Sequence, residues 1–240
     1  MNDKIKKLND IIIKSDKTVF FGGAGVSTES GIPDFRSVDG LYSQQYKYPP
    51  ETILSSGFFY SQTDEFYRFY RNKMLCLDAL PNAAHIKLAQ MEQKGRLSAV
   101  ITQNIDGLHQ KAGSKMVYEM HGSVHRNFCL KCGKFFDAEF MLSCKDVPRC
   151  QCGGLIKPDV VLYGEQLNDD VVTGAVNAIS KADTLIIGGT SLVVYPAAGL
   201  INYFRGNNLV IINMSPTNAD STANLLIESK IGEVFEQINI

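Results

Sequence analysis

Short apolar runs alternate along the chain with segments whose apolar residues recur at helical spacing. The apolar positions between residues 4 and 14 predict a first amphipathic helix. Four short runs rich in β-branched residues predict buried strands, at residues 18–21, 98–102, 184–187 and 209–212. Further helices are predicted over residues 58–77, from Pro81, over residues 169–181 and from Tyr195. This alternation predicts an α/β fold, a doubly wound parallel sheet of the Rossmann type with helices on both faces.

The composition is that of a folded globular chain. With 240 residues, 45% of them hydrophobic and 20% charged, the chain is long enough for one sizeable domain or a domain with a smaller appendage. Its net charge of -1 argues against a large electrostatic surface for nucleic acid. The lysine-rich residues 1–17 contain only a short apolar run, too short for a signal sequence or a membrane span. We therefore expect a cytoplasmic protein that does not bind a membrane.

Small and polar residues follow the predicted strands. They lie at residues 22–28, 102–106 and 188–191, with Asn213 after the last strand. Ligands of open parallel sheets bind outside the carboxyl ends of the strands, so this clustering predicts a nucleotide cleft. The glycines of residues 22–25 would let the backbone approach a phosphate, although Thr28 stands where the dinucleotide fingerprint needs a third glycine. A plain tight turn is the alternative for that segment alone.

An amide, a carboxylate and an imidazole come after the second predicted strand. Asn104 and Asp106 follow it directly, and His121 lies fifteen residues beyond Asp106. Taken singly, the first two are typical turn residues and the third an ordinary loop histidine. Together they offer one cleft the groups that proton transfer needs.

The segment from Ser30 to Arg36 combines a rigid turn, an aromatic ring and a guanidinium. A functional interpretation is a segment that closes over a ligand, with Phe35 against a ring and Arg36 on a polar group. The alternative is a structural loop in which Arg36 pairs with Asp34.

Five of the six cysteines lie between residues 129 and 152. Cys129 and Cys132 form a knuckle of the kind that wraps zinc, and seventeen residues separate it from Cys150 and Cys152. Disulfides compete with this interpretation, but they are rare in the cytosol. Four thiolates leave no open position on zinc, so the predicted metal is structural. Cys144 is the alternative to Cys150 or Cys152.

Together these motifs resemble the sirtuin family, across residues 18–231 and in family order. The matching segments are 23–27, 31–36, 102–106, 121–122, the two cysteine pairs and 189–192. The resemblance implies NAD-dependent removal of acyl groups from lysine side chains of proteins, with transfer to ADP-ribose and release of nicotinamide. An ADP-ribosyltransferase that uses the same NAD site is the alternative enzyme. An inert NAD-binding scaffold is a third hypothesis.

The resemblance also implies two domains with NAD between them. The large domain would comprise about residues 1–36, 86–122 and 161–240. Two insertions would form the smaller one, a helical part at about 37–85 and a zinc ribbon at about 123–160. We expect a monomer whose partners are acyl-lysine proteins or peptides.

Roles for single residues follow from the same resemblance. His121 would be the general base, and Asn104 would orient the ribose hydroxyls or a water. The residues implied around NAD are Ala24, Thr28, Phe35, Arg36, Gln103, Ile105, Asp106, His121, Thr190, Ser191, Asn213 and Ile231. Structural zinc would be held by Cys129, Cys132, Cys150 and Cys152. The acyl-lysine peptide would pair as a strand with Val160, Val161, Leu162 and Tyr163.

Tyr67 and Tyr70 are expected to wall an apolar acyl tunnel. Members that remove succinyl or malonyl groups pair a tyrosine with an arginine three residues later. Here Tyr70 stands at that distance from Tyr67, and Arg71 follows one residue further on. Because residues i+3 and i+4 share a helix face, Arg71 stays an alternative partner. Acetyl is the favoured substrate group, and longer aliphatic groups would also fit.

Overall fold

The computed structural model describes residues 2–35, 40–41 and 47–239. In chain order its strands are β1 (Thr18–Gly22), β2 (Ala99–Thr102), β3 (Val117–Glu119), β4 (Gly122–Cys129), β5 (Phe135–Phe136), β6 (Ile156–Val160), β7 (Thr184–Gly188), β8 (Asn208–Ile212) and β9 (Leu225–Ile227). Its α-helices are α1 (Asn2–Lys14), α2 (Pro50–Ile53), α3 (Ser56–Ser61), α4 (Thr63–Lys73), α5 (Ala83–Gln93), α6 (Leu108–Ala112), α7 (Ala138–Ser143), α8 (Asp169–Ser180) and α9 (Ile231–Glu236).

Six of the described strands form a parallel sheet in the order β3-β2-β1-β7-β8-β9. The chain first moves outward from β1 to β3 and later returns to the other side of β1, so the order reverses between β1 and β7. The last residues of these strands are level, because Gly22 lies opposite both Thr102 and Gly188, and Gly188 lies opposite Ile212. Four loops therefore leave the sheet side by side at the point where ligands bind in such folds.

Helices cover both faces of this sheet. Successive strand residues point to opposite faces, and β1 shows the consequence. Phe20 belongs to a core shared with α1, α5 and α9. Val19 and Phe21 belong to a second core, shared with α8 and the 3-10 helix Ala197–Tyr203. The predicted doubly wound α/β architecture is confirmed.

A second, antiparallel sheet has the order β5-β4-β6 among the described residues. It packs against α2, α3 and α4 in a third core, which contains Phe59, Phe66, Val124 and Ile156. The helical segment and the cysteine-bearing segment thus share one interior. The domain boundaries given above stay predictions.

Several helices begin at residues whose side chains cap them. The side chains of Ser55, Asn82, Asp137 and Asn168 each accept a hydrogen bond from a backbone N–H of the first turn. The helix predicted over residues 58–77 is two helices, α3 and α4, separated at Gln62 and ending at Lys73. The helix predicted from Tyr195 is the 3-10 helix, which follows a cis Tyr195–Pro196 bond. Within the described residues, every helix is too short or too polar to cross a membrane.

Candidate active site

A cavity of about 870 Å³ opens at the carboxyl ends of β1, β2, β7 and β8. Its volume lies in the range of small-molecule and cofactor sites. The cavity extends from the loops of the parallel sheet to the segment that follows β6, so it touches both sheets. Predicted site residues that line it are Ala24, Thr28, Phe35, Gln103, Asn104, Ile105, Asp106, His121, Val160, Val161, Leu162, Tyr163, Thr190, Ser191, Asn213 and Ile231.

The loops after β1 and β7 pack backbone against backbone. The Gly25 N–H donates to the Gly189 carbonyl oxygen at 2.8 Å. A Cβ on Gly25 would lie 2.8 Å from the Gly189 Cα, so a side chain cannot fit there. The close approach brings Ala24 and Thr190 to one wall of the cavity. The small residues at these two strand ends let a ligand come close to the backbone, which fits the phosphates of a dinucleotide.

Ser27 connects the loops after β1 and β2. Its hydroxyl donates to Asp106 Oδ2 at 2.7 Å and accepts from Asn104 Nδ2 at 3.0 Å. The other Asp106 oxygen accepts from the Leu108 N–H at 2.9 Å. Because Ser27 is only 1% exposed, these bonds are shielded from water, and they fix the amide and the carboxylate relative to each other.

His121 lies on the same wall as Gln103. Its Nδ1 is 2.9 Å from the Gln103 carbonyl oxygen. A carbonyl oxygen can only accept, so in the neutral ring Nδ1 carries the hydrogen and Nε2 keeps a lone pair. Burial lowers the pKa of His121, and the bond to Gln103 offsets part of that effect. The imidazole is therefore a neutral acceptor near pH 7. Gln103 is itself held by a bond from Nε2 to Thr190 Oγ1, 3.1 Å long.

Gly122 places His121 beside the segment after β6. The Gly122 φ is +74°, in the left-handed region, and a Cβ there would collide with the Asp159 carbonyl oxygen. This tight crossing lets the Val161 N–H donate to the His121 carbonyl oxygen at 3.0 Å. The imidazole and the segment 160–163 therefore share one end of the cavity.

Arg126 joins the two sheets next to this crossing. Its guanidinium donates to Glu119 Oε2 at 2.6 Å and to Asp159 Oδ2 at 2.7 Å. Glu119 ends β3 of the parallel sheet, and Asp159 lies in β6 of the antiparallel sheet. The ion pairs therefore support the junction at which His121 lies.

Tyr67 and Tyr70 do not line the cavity, which corrects the prediction that they wall it. Both side chains are buried in the aromatic core of the smaller sheet, and the Tyr67 hydroxyl donates to the Ile156 carbonyl. Desolvation raises the pKa of both phenols. Apolar residues that do line the cavity include Ile32, Phe35, Leu54, Met74 and Ile105.

Arg71 does not line the cavity. The Arg71 guanidinium donates to the carbonyl oxygens of Lys145 and Asp146, both at 3.0 Å, in the loop after α7. Arg36 lies outside the described residues.

The four predicted metal ligands come together. The sulfur atoms of Cys129, Cys132, Cys150 and Cys152 all lie within 4.8 Å of one another. Cys132 Sγ lies 3.5 Å from Cys152 Sγ and 3.7 Å from Cys150 Sγ. Tetrahedral zinc with Zn–S bonds of about 2.3 Å requires sulfur separations of about 3.8 Å, so the donor set fits zinc. Cys144 is outside this group.

Sequence reasoning gave no role to Ser27, Leu54 or Met74. Ser27 stands within a quoted motif, but its bonds reach residues 77 and 79 positions away. Leu54 and Met74 follow α2 and α4, and their exposure to the cavity depends on how those helices pack. No local pattern could have identified these contacts.

Comparisons with known proteins agree with this geometry. The sequence model of the Sir2 family matches residues 23–196 of this chain. An NAD-dependent protein deacetylase of Clostridium perfringens is 59% identical over 242 residues, covering 99% of each chain. A solved structure of a Sir2 variant with deacetylated p53 peptide and 3'-O-acetyl ADP-ribose has a TM-score of 0.91 at 42% identity, covering 97% of this chain and 96% of that one. A Sir2 complex with p53 peptide and NAD+ has a TM-score of 0.87 at 43% identity, with the same coverage.

Proposed function

This chain belongs to the Sir2 family, and from that premise and the geometry of the cavity we infer that it is an NAD-dependent protein deacetylase acting on acetyl-lysine. One observation carries the inference beyond the family name. A single cavity contains two loops of small residues, a neutral imidazole acceptor and the segment 160–163 that continues from the end of β6.

The residues present fit NAD at the switch point of the sheet. The backbone of the Gly25 and Gly189 loops would receive its phosphates, with Ala24 and Thr28 beside them. Thr190, Ser191, Asn213 and Ile231 would surround the adenosine half, and Ile105 and Asp106 would hold the nicotinamide. When bound, NAD supplies nicotinamide as the leaving group and a ribose that accepts the acetyl group.

His121 would act as general base. Its Nε2 would accept a proton from a ribose hydroxyl, and the Gln103 carbonyl would stabilise the imidazolium through Nδ1. The lowered pKa of His121 keeps the ring in its basic form at neutral pH. A base of this kind contributes about 10²–10⁴ in rate.

Asn104 would orient the ribose hydroxyls or a water. Its Nδ2 is held by Ser27, so the direction of its carbonyl oxygen is fixed as well. Asp106 would accept from the carboxamide of nicotinamide. Since Ser27 also holds Asp106, one hydroxyl orients both polar groups.

The acetyl-lysine peptide would lie along residues 160–163 as an added strand. Main-chain hydrogen bonds would provide affinity with little dependence on the peptide sequence. The lysine side chain would enter between Phe35, Leu54 and Ile105, which offer apolar contacts to a methyl group. Arg71 is bonded to the Lys145 and Asp146 carbonyls and does not line the cavity, so it is not placed to meet a dicarboxylic acyl group.

The proposed zinc ion has no position open for chemistry. Four thiolates would close its coordination sphere and hold the ends of β4 and β6 together. The monomeric state and the cytoplasmic location expected from the sequence stay predictions.

A panel of acyl-lysine peptides tests this function. Acetyl, propionyl and succinyl versions of one peptide are incubated with and without NAD, and the products are weighed by mass spectrometry. We expect loss of the acetyl group only with NAD, slower loss of propionyl and negligible loss of succinyl. Loss of acetyl without NAD, or no loss from any peptide, would contradict the proposal.

A further inference from the structure

Asn82 ties the N-terminus of α5 to the loop that follows β1. As the capping residue of α5, its Oδ1 accepts from the Ala84 N–H at 3.0 Å. Its Nδ2 donates to the Val26 carbonyl oxygen at 2.7 Å and to Ser30 Oγ at 3.0 Å. The amide thus uses its oxygen for the helix and both hydrogens for the loop.

The two loop contacts lie on either side of the residues that face the cavity. The loop consists of two successive 3-10 turns, Ala24–Val26 and Thr28–Ser30. Ser27 and Thr28 line the cavity between the two points at which Asn82 holds the loop. A shift of the Val26 carbonyl would therefore move the residues that would receive the phosphates of NAD.

The backbone of Asn82 is itself held in place by a hydrogen bond. Its backbone N–H donates to Nδ1 of His85 at 3.3 Å, which completes a reciprocal capping arrangement. His85 is buried, with 0% exposure, so the cap rests on a residue that packs within the protein. α5 in turn packs against α9 in the core of the parallel sheet. The tether thus connects the loop to a rigid part of the fold.

We propose that Asn82 is a positioning residue for the dinucleotide, which sets the affinity of the cavity for NAD without touching it. The proposal rests on the function inferred above, because it concerns the NAD cavity of that enzyme. The proposal predicts an effect on the binding of NAD alone. Loss of the tether weakens NAD binding and leaves peptide binding, at the other end of the cavity, unchanged.

The variant Asn82→Asp removes the bond to the Val26 carbonyl oxygen but keeps the bond that caps α5. A carboxylate caps a helix as well as an amide does, and its charge is favourable at a helix N-terminus. The Ser30 hydroxyl can turn and donate to the new carboxylate. The Val26 carbonyl cannot, so it would face a second acceptor in place of a donor.

Asn168→Asp is the matched control. Asn168 caps α8 through a bond from the Val171 N–H to Oδ1, 3.1 Å long, and it does not line the cavity. Both variants therefore make the same chemical change at a helix N-cap.

The experiment measures KM for NAD, KM for an acetyl-lysine peptide, ADP-ribose affinity by calorimetry and the thermal midpoint of each protein. For Asn82→Asp we expect KM for NAD and the ADP-ribose Kd to rise about tenfold, the size of one lost hydrogen bond to a backbone carbonyl. KM for peptide should match that of Asn168→Asp, while the thermal midpoint should be lower, because the bond to the Val26 carbonyl is lost. Ser30→Ala, which removes only one acceptor, should give a smaller rise.

Unchanged ADP-ribose affinity in Asn82→Asp would overturn the proposal. So would equal losses for NAD and peptide, since that pattern indicates a purely structural role. If Asn82→Asp does not fold, an unchanged KM for NAD in Ser30→Ala would overturn the proposal instead. ADP-ribose binding reports on the tether even if the wild-type chain removes no acetyl group, so the two proposals fail separately.

Discussion

The Ser27 hydroxyl and Asp106 Oδ2 lie 2.7 Å apart, joining the loop after β1 to the loop after β2. The two residues are 79 positions apart in the chain and meet because both strands end at the same edge of the sheet. Through the same hydroxyl the Asn104 amide is held as well. The polar groups of the cavity are therefore fixed by a residue that sequence reasoning left without a role.

Ser27→Ala should lower kcat without unfolding the protein. The change leaves the Asn104 amide and the Asp106 carboxylate without their common partner, and misplaced reacting groups cost up to about 10²-fold in rate. We expect a ten- to hundredfold fall in kcat/KM in the acetyl-peptide assay. Ser61→Ala is the control, because Ser61 is exposed and its hydroxyl donates to the Gly57 carbonyl oxygen one turn earlier, away from the cavity. Equal activity of the two variants would exclude the orienting role.

The pH dependence of activity should report His121. Because burial lowers its pKa below the usual value near 6.5, the ring stays basic under mildly acidic conditions. The acidic limb of the kcat/KM profile should therefore have its midpoint below pH 6.5, with activity lost as the pH falls through it. His121→Ala should remove this limb and reduce activity by about 10²–10⁴. A midpoint above 6.5, or a limb that persists in His121→Ala, would assign the titration to another group.

Zinc should bind at one equivalent and stabilise the smaller sheet. Cys132→Ser removes a ligand from a site whose binding energy is part of the folding energy. We expect loss of the metal by elemental analysis and a lower first thermal transition. Cys144→Ser and Cys76→Ser are the controls, since neither sulfur belongs to the cluster. Loss of zinc from Cys144→Ser would show that the ligand set is wrong.

Acid should destabilise the protein through two buried histidines. The rings of His85 and His109 lie 4.7 Å apart, and neither His109 nitrogen has a hydrogen-bond partner among the described residues. Burial lowers the pKa of both, to about 4 for His85 and well below 6.5 for His109. Below pH 6.5 the two histidines become protonated in the unfolded chain but stay neutral in the folded chain. The free energy of unfolding therefore decreases as the pH is lowered.

The expected slope is about 1.4 kcal/mol in the free energy of unfolding per pH unit for each histidine, between pH 6.5 and the folded pKa. Urea titrations at pH 5, 6, 7 and 8 measure it. His109→Gln should make the slope shallower, with values above pH 7 as the baseline. An unchanged slope would mean that His109 is already charged in the folded protein.

The fold and the cavity wall could be predicted because they depend on local patterns. The predicted strands are continuous apolar segments, and every residue of β1 and β7 is buried. Once the strands are parallel, the residues after them share an edge, so Ala24, Gln103 and Thr190 had to lie close together. β3 and β9 were not predicted, because each has only three residues.

The remaining features depend on long-range contacts that no local pattern encodes. Helical spacing places Tyr67 and Tyr70 on one face of α4, but that face packs against β6, where Tyr67 bonds to a residue 89 positions away. A helix was predicted from Pro81, next to Asn82, but the bond from Asn82 to the loop after β1 depends on Val26, 56 positions away. Such contacts are decided when the helices pack on the sheets.

The stoichiometry of the products tests the central claim most directly. An acetyl-lysine peptide is incubated with the protein and NAD labelled in its adenosine half, and nicotinamide, free lysine peptide and labelled species are counted by mass and label. We predict one nicotinamide for each lysine released, with the label in a small O-acetyl-ADP-ribose. Label retained on protein, or lysine released without nicotinamide, would contradict the assignment of this chain as an NAD-dependent deacetylase.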